Sequence, residues 1–387
     1  MDAKKRRGVN ILDDIVEEIL VKVPVRSLVK FKAVSKQWKG TIESKWFADK
    51  QVRSQKSLGG GQARIVKIVP RCFGRKTRRT RLTLENLLLM PPNGLVYTSP
   101  YRLIRHPRPR LRLRLRRYKI SEPCDGLFCI YTKDRELILV NPATNSSRIL
   151  PDPNPDPYPS TLPEDVWRRQ ITLVGIGREN VANNPRYKLV CFFKADNEMV
   201  NKSTRCKVFA LDSNTWRYVD PPNRQVYYDH PIIHVDGVLY CFGYNNMEEC
   251  FIAFDLHTET FQSYSVTPDV GSRYLHELSM CALNHRLCIF RSAPNINRED
   301  LFFKVWGLDI KKGSLEIMYS IEYSCLPPDV DHMTMVPVAT LNNYLILSNR
   351  SHTFWVFYGS KTHIFLGNHS SGRYFMSFFE TLVSLYQ

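Results

Sequence analysis

The feature that most constrains this chain is a recurring one. A short apolar run ends in Asp or Asn and is followed by a polar turn, a Thr and an aromatic or basic residue. It appears as VNPATNSSR from Val140, LDSNTWR from Leu211 and FDLHTETF from Phe254, with a weaker copy, LDIKKGSLE, from Leu308. Short hydrophobic runs punctuated by Pro, Asn, Asp and Gly surround these copies, among them Leu127 to Tyr131, Leu189 to Phe193, Val238 to Phe242 and Tyr344 to Leu347. Such lengths suit strands and not helices. The Asp or Asn positions 141, 212, 255 and 309 lie 71, 43 and 54 residues apart, and the latter two intervals are close to propeller repeats. The long first interval contains Pro151 to Pro163, six prolines in 13 residues, which would not enter a sheet. Residues 121–387 would hold about six blades of roughly 45 residues. A β-sandwich is the alternative.

Charge is distributed unevenly. The formal net charge is +18, but Lys50 to Lys119 holds twenty Lys and Arg against the single acid Glu85, and residues 1–49 add +4. Everything after Lys119 is therefore mildly acidic, and the basic excess belongs to one segment. Within it, RPRLRLRLRR from Arg108 alternates Leu and Arg. As a strand it would set Leu111, Leu113 and Leu115 on one face and Arg112, Arg114 and Arg116 on the other. Arg108, Arg110, Arg112, Arg114, Arg116 and Arg117 are candidate anion-binding residues. Stacking aromatics are scarce nearby and no nucleic-acid motif appears, which argues against nucleic acid as a partner. A solvated insertion or edge strand is the leading reading, ahead of an acidic protein patch and then of nucleic acid, and the alternative function is a nucleic-acid- or acidic-partner-binding protein that uses this segment.

At the other end, Ile15, Val16, Ile19, Leu20 and Val23 recur with helical period, with Asp13, Asp14, Glu17 and Glu18 opposite or at the start. Pro24 stops this helix. A second run carries Leu28, Phe31, Val34, Trp38 and Ile42 on an apolar face, and Ser35 is placed to cap a break within it. Residues 11–47 are too few to enclose a core, since below about 40 residues a chain rarely does so. They must lean on a partner or on the main domain of the same chain.

Catalytic signatures are lacking: there is no HExxH, GxSxG or P-loop, and Gly175 and Gly177 make only GxG. His230 and His234 have zinc-like spacing, but Pro231 lies between them and the surroundings read as strand, so a turn or core role is expected. Asp212, Asp255 and Asp309 are expected to bond their own downstream N–H groups at turns. Ten cysteines without a CxxC pair, Cys124 and Cys129 among them, read as reduced core residues. No metal and no cofactor is expected. Absence of an 18-residue apolar stretch and of a signal-peptide core leads to the expectation of a cytoplasmic or nuclear protein without membrane association.

The segment ILDDIVEEILVKVPVRSLVKFKAVSKQWKGTIESKWF from Ile11 resembles an F-box of the plant type, with Leu12 where that family usually has proline. CDGLFCIY from Cys124, VNPATNSSRILP from Val140, VGIGREN, KVFALDSNTWR from Lys207, VDGVLYCFG from Val235, IAFDLHTETF from Ile252 and LNHRLCIF from Leu283 resemble, in order, the F-box-associated domain of F-box/kelch-like plant proteins. The resemblance implies a three-helix F-box at 11–50 and a β domain at 121–387, while the basic tail at 1–10 and the Arg-rich linker or insertion at 51–120 are read from charge alone. It further implies a non-catalytic adaptor of a Skp-cullin-F-box ubiquitin ligase. The F-box would dock on a Skp-type linker, and through it on cullin and RING subunits, while the β domain would hold a target protein of unknown identity. The docking residues implied are Ile11, Ile15, Ile19, Leu20, Pro24, Leu28, Phe31, Val34, Trp38 and Ile42.

Overall fold

A computed structural model describes residues 13–57, 64–73, 79–90, 94–97, 118–132, 135–153, 170–181, 185–194, 205–245, 248–265, 278–291, 302–322, 335–341, 344–349, 353–358, 362–368, 374–378 and 380–386. Four helices come first: α1 (Asp13–Lys22), α2 (Val25–Phe31), α3 (Lys36–Glu43) and α4 (Lys45–Ser57). Pro24 is the N-cap of α2, and Ser35 caps α3, its hydroxyl accepting from the Trp38 amide at 3.0 Å. The fourth helix exceeds the three expected. Its largely polar sequence conceals a narrow buried stripe of Phe47, Ala48, Gln51 and Val52, spaced at one helical turn.

The described strands form six antiparallel sheets. In chain order they are β1 (Arg64–Phe73), β2 (Arg79–Met90) and β3 (Gly94–Tyr97); β4 (Tyr118–Ile120), β5 (Phe128–Thr132), β6 (Leu137–Asn141) and β7 (Ser146–Ile149); β8 (Gln170–Arg178), β9 (Tyr187–Lys194), β10 (Arg205–Ala210) and β11 (Thr215–Val219). Then come β12 (Gln225–Val226), β13 (Ile233–Val235), β14 (Val238–Asn245), β15 (Glu248–Asp255) and β16 (Thr260–Tyr264); and β17 (Leu278–Leu283), β18 (Arg286–Arg291), β19 (Phe302–Asp309) and β20 (Ser314–Glu322). The last are β21 (Met335–Leu341), β22 (Tyr344–Asn349), β23 (Thr353–Tyr358), β24 (Thr362–Asn368) and β25 (Tyr374–Phe378).

Each sheet is an up-and-down meander. The first strands face one another, β8 packing on β13, β13 on β17, β17 on β21 and β21 on β25. Met376 and Phe378 of β25 share a core with Phe128 and Ile130 of β5, which closes the circle. This is a six-bladed propeller, and the sandwich alternative is set aside. One blade is composite: β25 pairs antiparallel with β1, so β1, β2 and β3 build a single sheet with β25. The stretch 51–120, expected as linker or insertion, thus contributes the end of α4 and four blade strands, β1 to β4.

The repeated Asp and Asn positions sit at the turn between third and fourth strands of four successive blades. Asn141 Oδ1 accepts from Ala143 N at 3.0 Å, Asp255 Oδ1 from His257 N at 2.7 Å and Thr258 N at 2.9 Å, and Asp309 Oδ1 from Lys311 N and Lys312 N at 3.2 Å. At Asp212 the bond goes to Ser213 N at 2.8 Å. These bonds satisfy turn amides that the ladder leaves open. The GxG glycines serve packing between blades: a Cβ on Gly177 would lie 2.5 Å from Leu256 Cδ1 and 2.7 Å from His234 Cδ2. No helix among the described residues is long and apolar enough to cross a membrane.

Candidate functional site

The helical segment leans on the propeller. Leu20, Val21, Val25, Leu28, Ile42 and Phe47 share one buried core with Phe128, Ile138 and Val140 of the second blade and with Met376, Phe378 and Leu382. Closure on that side leaves the other side open. Ile15 and Ile19, one turn apart on α1, are 49% and 54% exposed; Val34 is 61% exposed and Trp46 58%. Val29 is also accessible, as is Pro24. Exposed aliphatics on consecutive helical turns are the form that partner anchors take.

The ten residues implied for docking therefore divide. Ile15, Ile19, Pro24 and Val34 face outward. Leu20, Leu28 and Ile42 are exposed by 2% or less and hold the helices on the propeller. Phe31 and Trp38 are half-buried and meet edge to face at 5.7 Å, bracing α2 against α3. Ile11 lies outside the described residues, as do all six candidate anion-binding arginines from Arg108 to Arg117. Val29 was not singled out in the sequence, and no spacing signal marks it.

Beneath α4 lies a buried ionic junction. Arg178, at the end of β8, bonds Asp49 of α4 and lies 3.4 Å from Asp125 Oδ2. Lys56 Nζ is 2.8 Å from Asp125 Oδ1, and the Tyr187 hydroxyl donates to Asp125 Oδ2 at 2.9 Å. Burial alone would raise the Asp125 carboxyl, but Lys56 and Arg178 hold it below its usual value. Asp125 and Gly126 form a tight turn with φ of 46° and 75°, the conformation that a two-residue hairpin demands. The segment after β25 joins in: Thr381 donates to the Asp125 carbonyl at 2.8 Å, Leu382 N donates to Gln51 Oε1 at 3.2 Å, and Arg26 Nε lies 3.7 Å from Glu380.

A cavity of about 1570 Å³ follows the propeller axis. First-strand residues such as Lys119, Leu173, Ile233, Cys281 and Val338 line it, and Arg53, Gln55 and Lys56 of α4 reach its wall. Glu122 is open to the cavity yet ringed by protein, and this enclosure pushes its carboxyl up to about 7. His234 takes the expected core role. Its Nε2 lies 3.2 Å from the Arg178 amide and its Nδ1 3.4 Å from Cys124 Sγ, and burial lowers its pKa. Cys124 and Cys129 are buried free thiols, as expected.

Residues 10–50 match the family described as F-box domain, and residues 102–365 match the F-box associated beta propeller domain. An F-box/kelch-repeat protein of Arabidopsis thaliana is 28% identical over 80% of this chain and 70% of its own length. A second is 26% identical over 96% of this chain and 89% of its own. An F-box/LRR-repeat/kelch-repeat protein of the same plant is 31% identical over 71% of this chain and 69% of its own length.

Proposed function

Since the chain belongs to the F-box proteins that carry an F-box-associated β-propeller domain, we propose that it is the substrate-recognition adaptor of a Skp-cullin-F-box ubiquitin ligase. The proposed mode is that Ile15, Ile19 and Val34, with Val29 and Trp46, anchor a Skp-type linker, and that cullin and RING subunits follow through it. The observation that carries this reading is the division of the helical segment into a side sealed on the propeller and a side of exposed aliphatics.

The target protein is assigned to the opposite end of the ring. The helices occupy the end bearing the turns between first and second strands, as the Asp125 contacts show. That leaves the end where the second strand of each blade stops and the third begins. No covalent step is assigned to this chain. Its contribution is effective concentration, since holding ligase and target together makes ubiquitin transfer nearly intramolecular.

Titration calorimetry of the full chain against a purified Skp-type linker tests the docking face. Ile19→Arg puts a charge where an apolar anchor is required and should weaken binding by about 2 kcal/mol or more, roughly thirtyfold. An Ile19→Arg protein with native circular dichroism and undiminished affinity refutes the assignment. Deleting residues 1–50 is the poorer experiment, because it would strip the propeller of Leu28, Ile42 and Phe47 from a shared core.

A further inference from the structure

One pair of side chains stands apart from the adaptor reading. Cys281 of β17 and Cys288 of β18 are direct cross-strand partners and so point to the same face of their sheet. The two-residue turn Asn284-His285, with φ of 49° and 60°, closes this hairpin on the pair Leu283 and Arg286. Two residues further, Cys281 and Cys288 occupy a position of the same hydrogen-bonded type, where Cα atoms are about 5.5 Å apart. That separation lies inside the window of roughly 4.4–6.8 Å that a disulfide spans.

The neighbouring strands add a third sulfur. Gly307 of β19 stands opposite Cys288, and a Cβ there would meet Met318 Sδ at 3.0 Å. The register shift between Val305 and Trp306 leaves Met318 as the extra residue of a bulge in β20. Its thioether is 3.5 Å from Cys288 Sγ. Cys288 is enclosed, whereas Cys281 lines the axial cavity, which supplies the route for a small reagent.

We infer that Cys281 and Cys288 are a redox-sensitive dithiol that closes to an intrachain disulfide when hydrogen peroxide enters the axial cavity. One of the two sulfurs attacks the peroxide, the O–O bond breaks, and that cysteine becomes a sulfenic acid as the first water leaves. The other sulfur then attacks it, the S–S bond forms, and the sulfenic oxygen departs with the second thiol proton as the second water. Two thiols are oxidised and one peroxide is reduced to two waters.

The electrostatics set the two thiols apart. A hydrogen bond from the Cys281 thiol lowers the Cys288 pKa, with Arg286 assisting and burial opposing. Burial and that same hydrogen bond raise Cys281, which also faces the Glu122 carboxyl. None of the other cysteines in described strands has a cysteine opposite it: Cys129 faces Leu139, Cys191 faces Lys207, Cys241 faces Ile252 and Cys250 faces Gly243. Closure would tighten a hairpin whose turn residues, Asn284 and His285, line the cavity, and so make the hub responsive to oxidant.

The test treats the native full-length chain with one equivalent of hydrogen peroxide, alkylates the remaining thiols and maps peptides without reduction. The expected result is one intrachain link between the Cys281 and Cys288 peptides, reversed by dithiothreitol and absent from Cys281→Ser and Cys288→Ser. The link in the wild-type chain is decisive even if a variant fails to fold. Full alkylation of both residues after treatment overturns the inference. So does oxidation confined to other cysteines or to Met318, or a link between two chains.

Discussion

Replacing Arg178 by Met tests whether the ionic junction fixes the helices on the propeller. Arg178 serves two carboxylates at once, and both Asp49 and Asp125 are almost fully buried, at 7% and 4% exposure. Breaking a buried pair leaves an uncompensated charge and costs about 3–5 kcal/mol. Asp125 keeps Lys56 and the Tyr187 hydroxyl, and Asp49 keeps Arg53, so the expected loss is at the lower end, about 3 kcal/mol. Hydrogen exchange should report it as an increase of about a hundredfold in the opening of α4 amides. Lys32→Met is the comparison. It breaks the open surface pair with Glu43, 3.3 Å long, and should change exchange by less than about 1 kcal/mol. Combining Arg178→Met with Asp49→Asn should recover part of the loss, because the stranded charge is gone. If Arg178→Met opens α4 no more than Lys32→Met does, the junction is not what holds the helices.

Acid should weaken the fold in two stages. Burial depresses His234, so it stays neutral in the fold while the unfolded chain takes up a proton below about pH 6.5; stability is full above that value and falls as pH drops through the lowered native pKa. Asp125, held below its usual value, adds a further loss below about pH 4. Glu122 works the other way, its contribution being lost as pH rises through about 7, so urea titrations in a Glu122→Gln background should isolate the His234 slope, and His234→Gln should abolish it. A slope that survives His234→Gln would assign it to another group. Gly177→Ala should lower stability by about 1–3 kcal/mol through its clash with Leu256 and His234, while Gly40→Ala, in open space on α3, should raise it by about 0.5–1 kcal/mol; thermal melts with equal midpoints would contradict both.

Much of this architecture is written locally. The turn residues at 141, 212, 255 and 309 mark the same corner of four blades because each side chain bonds amides one to three positions ahead, within reach of a sequence pattern. The apolar runs legible as strands are chiefly second and third strands, such as β5, β6, β10 and β15, whose residues are buried on both faces. Outer strands such as β11 and β16 have mostly accessible residues and leave no comparable run. In β1 and β2, Lys and Arg interleave with the aliphatics, and their charge drew the reading toward a linker. The docking face was legible as a set of apolar positions but not as a surface, because the division between Ile19 and Leu20 depends on where the propeller lies. Asp49 and Arg178 meet across 129 positions, and no local pattern carries that contact.

The composite blade also dictates an order of assembly. Strand β1 needs β25 beside it, and the helices need Met376, Phe378 and Leu382 to finish the core on which they rest. A nascent polypeptide still lacking residues 374–386 therefore has neither a closed ring nor a seated helical head. Products of premature termination would leave Leu28, Ile42 and Phe47 without the far half of the core that seats them.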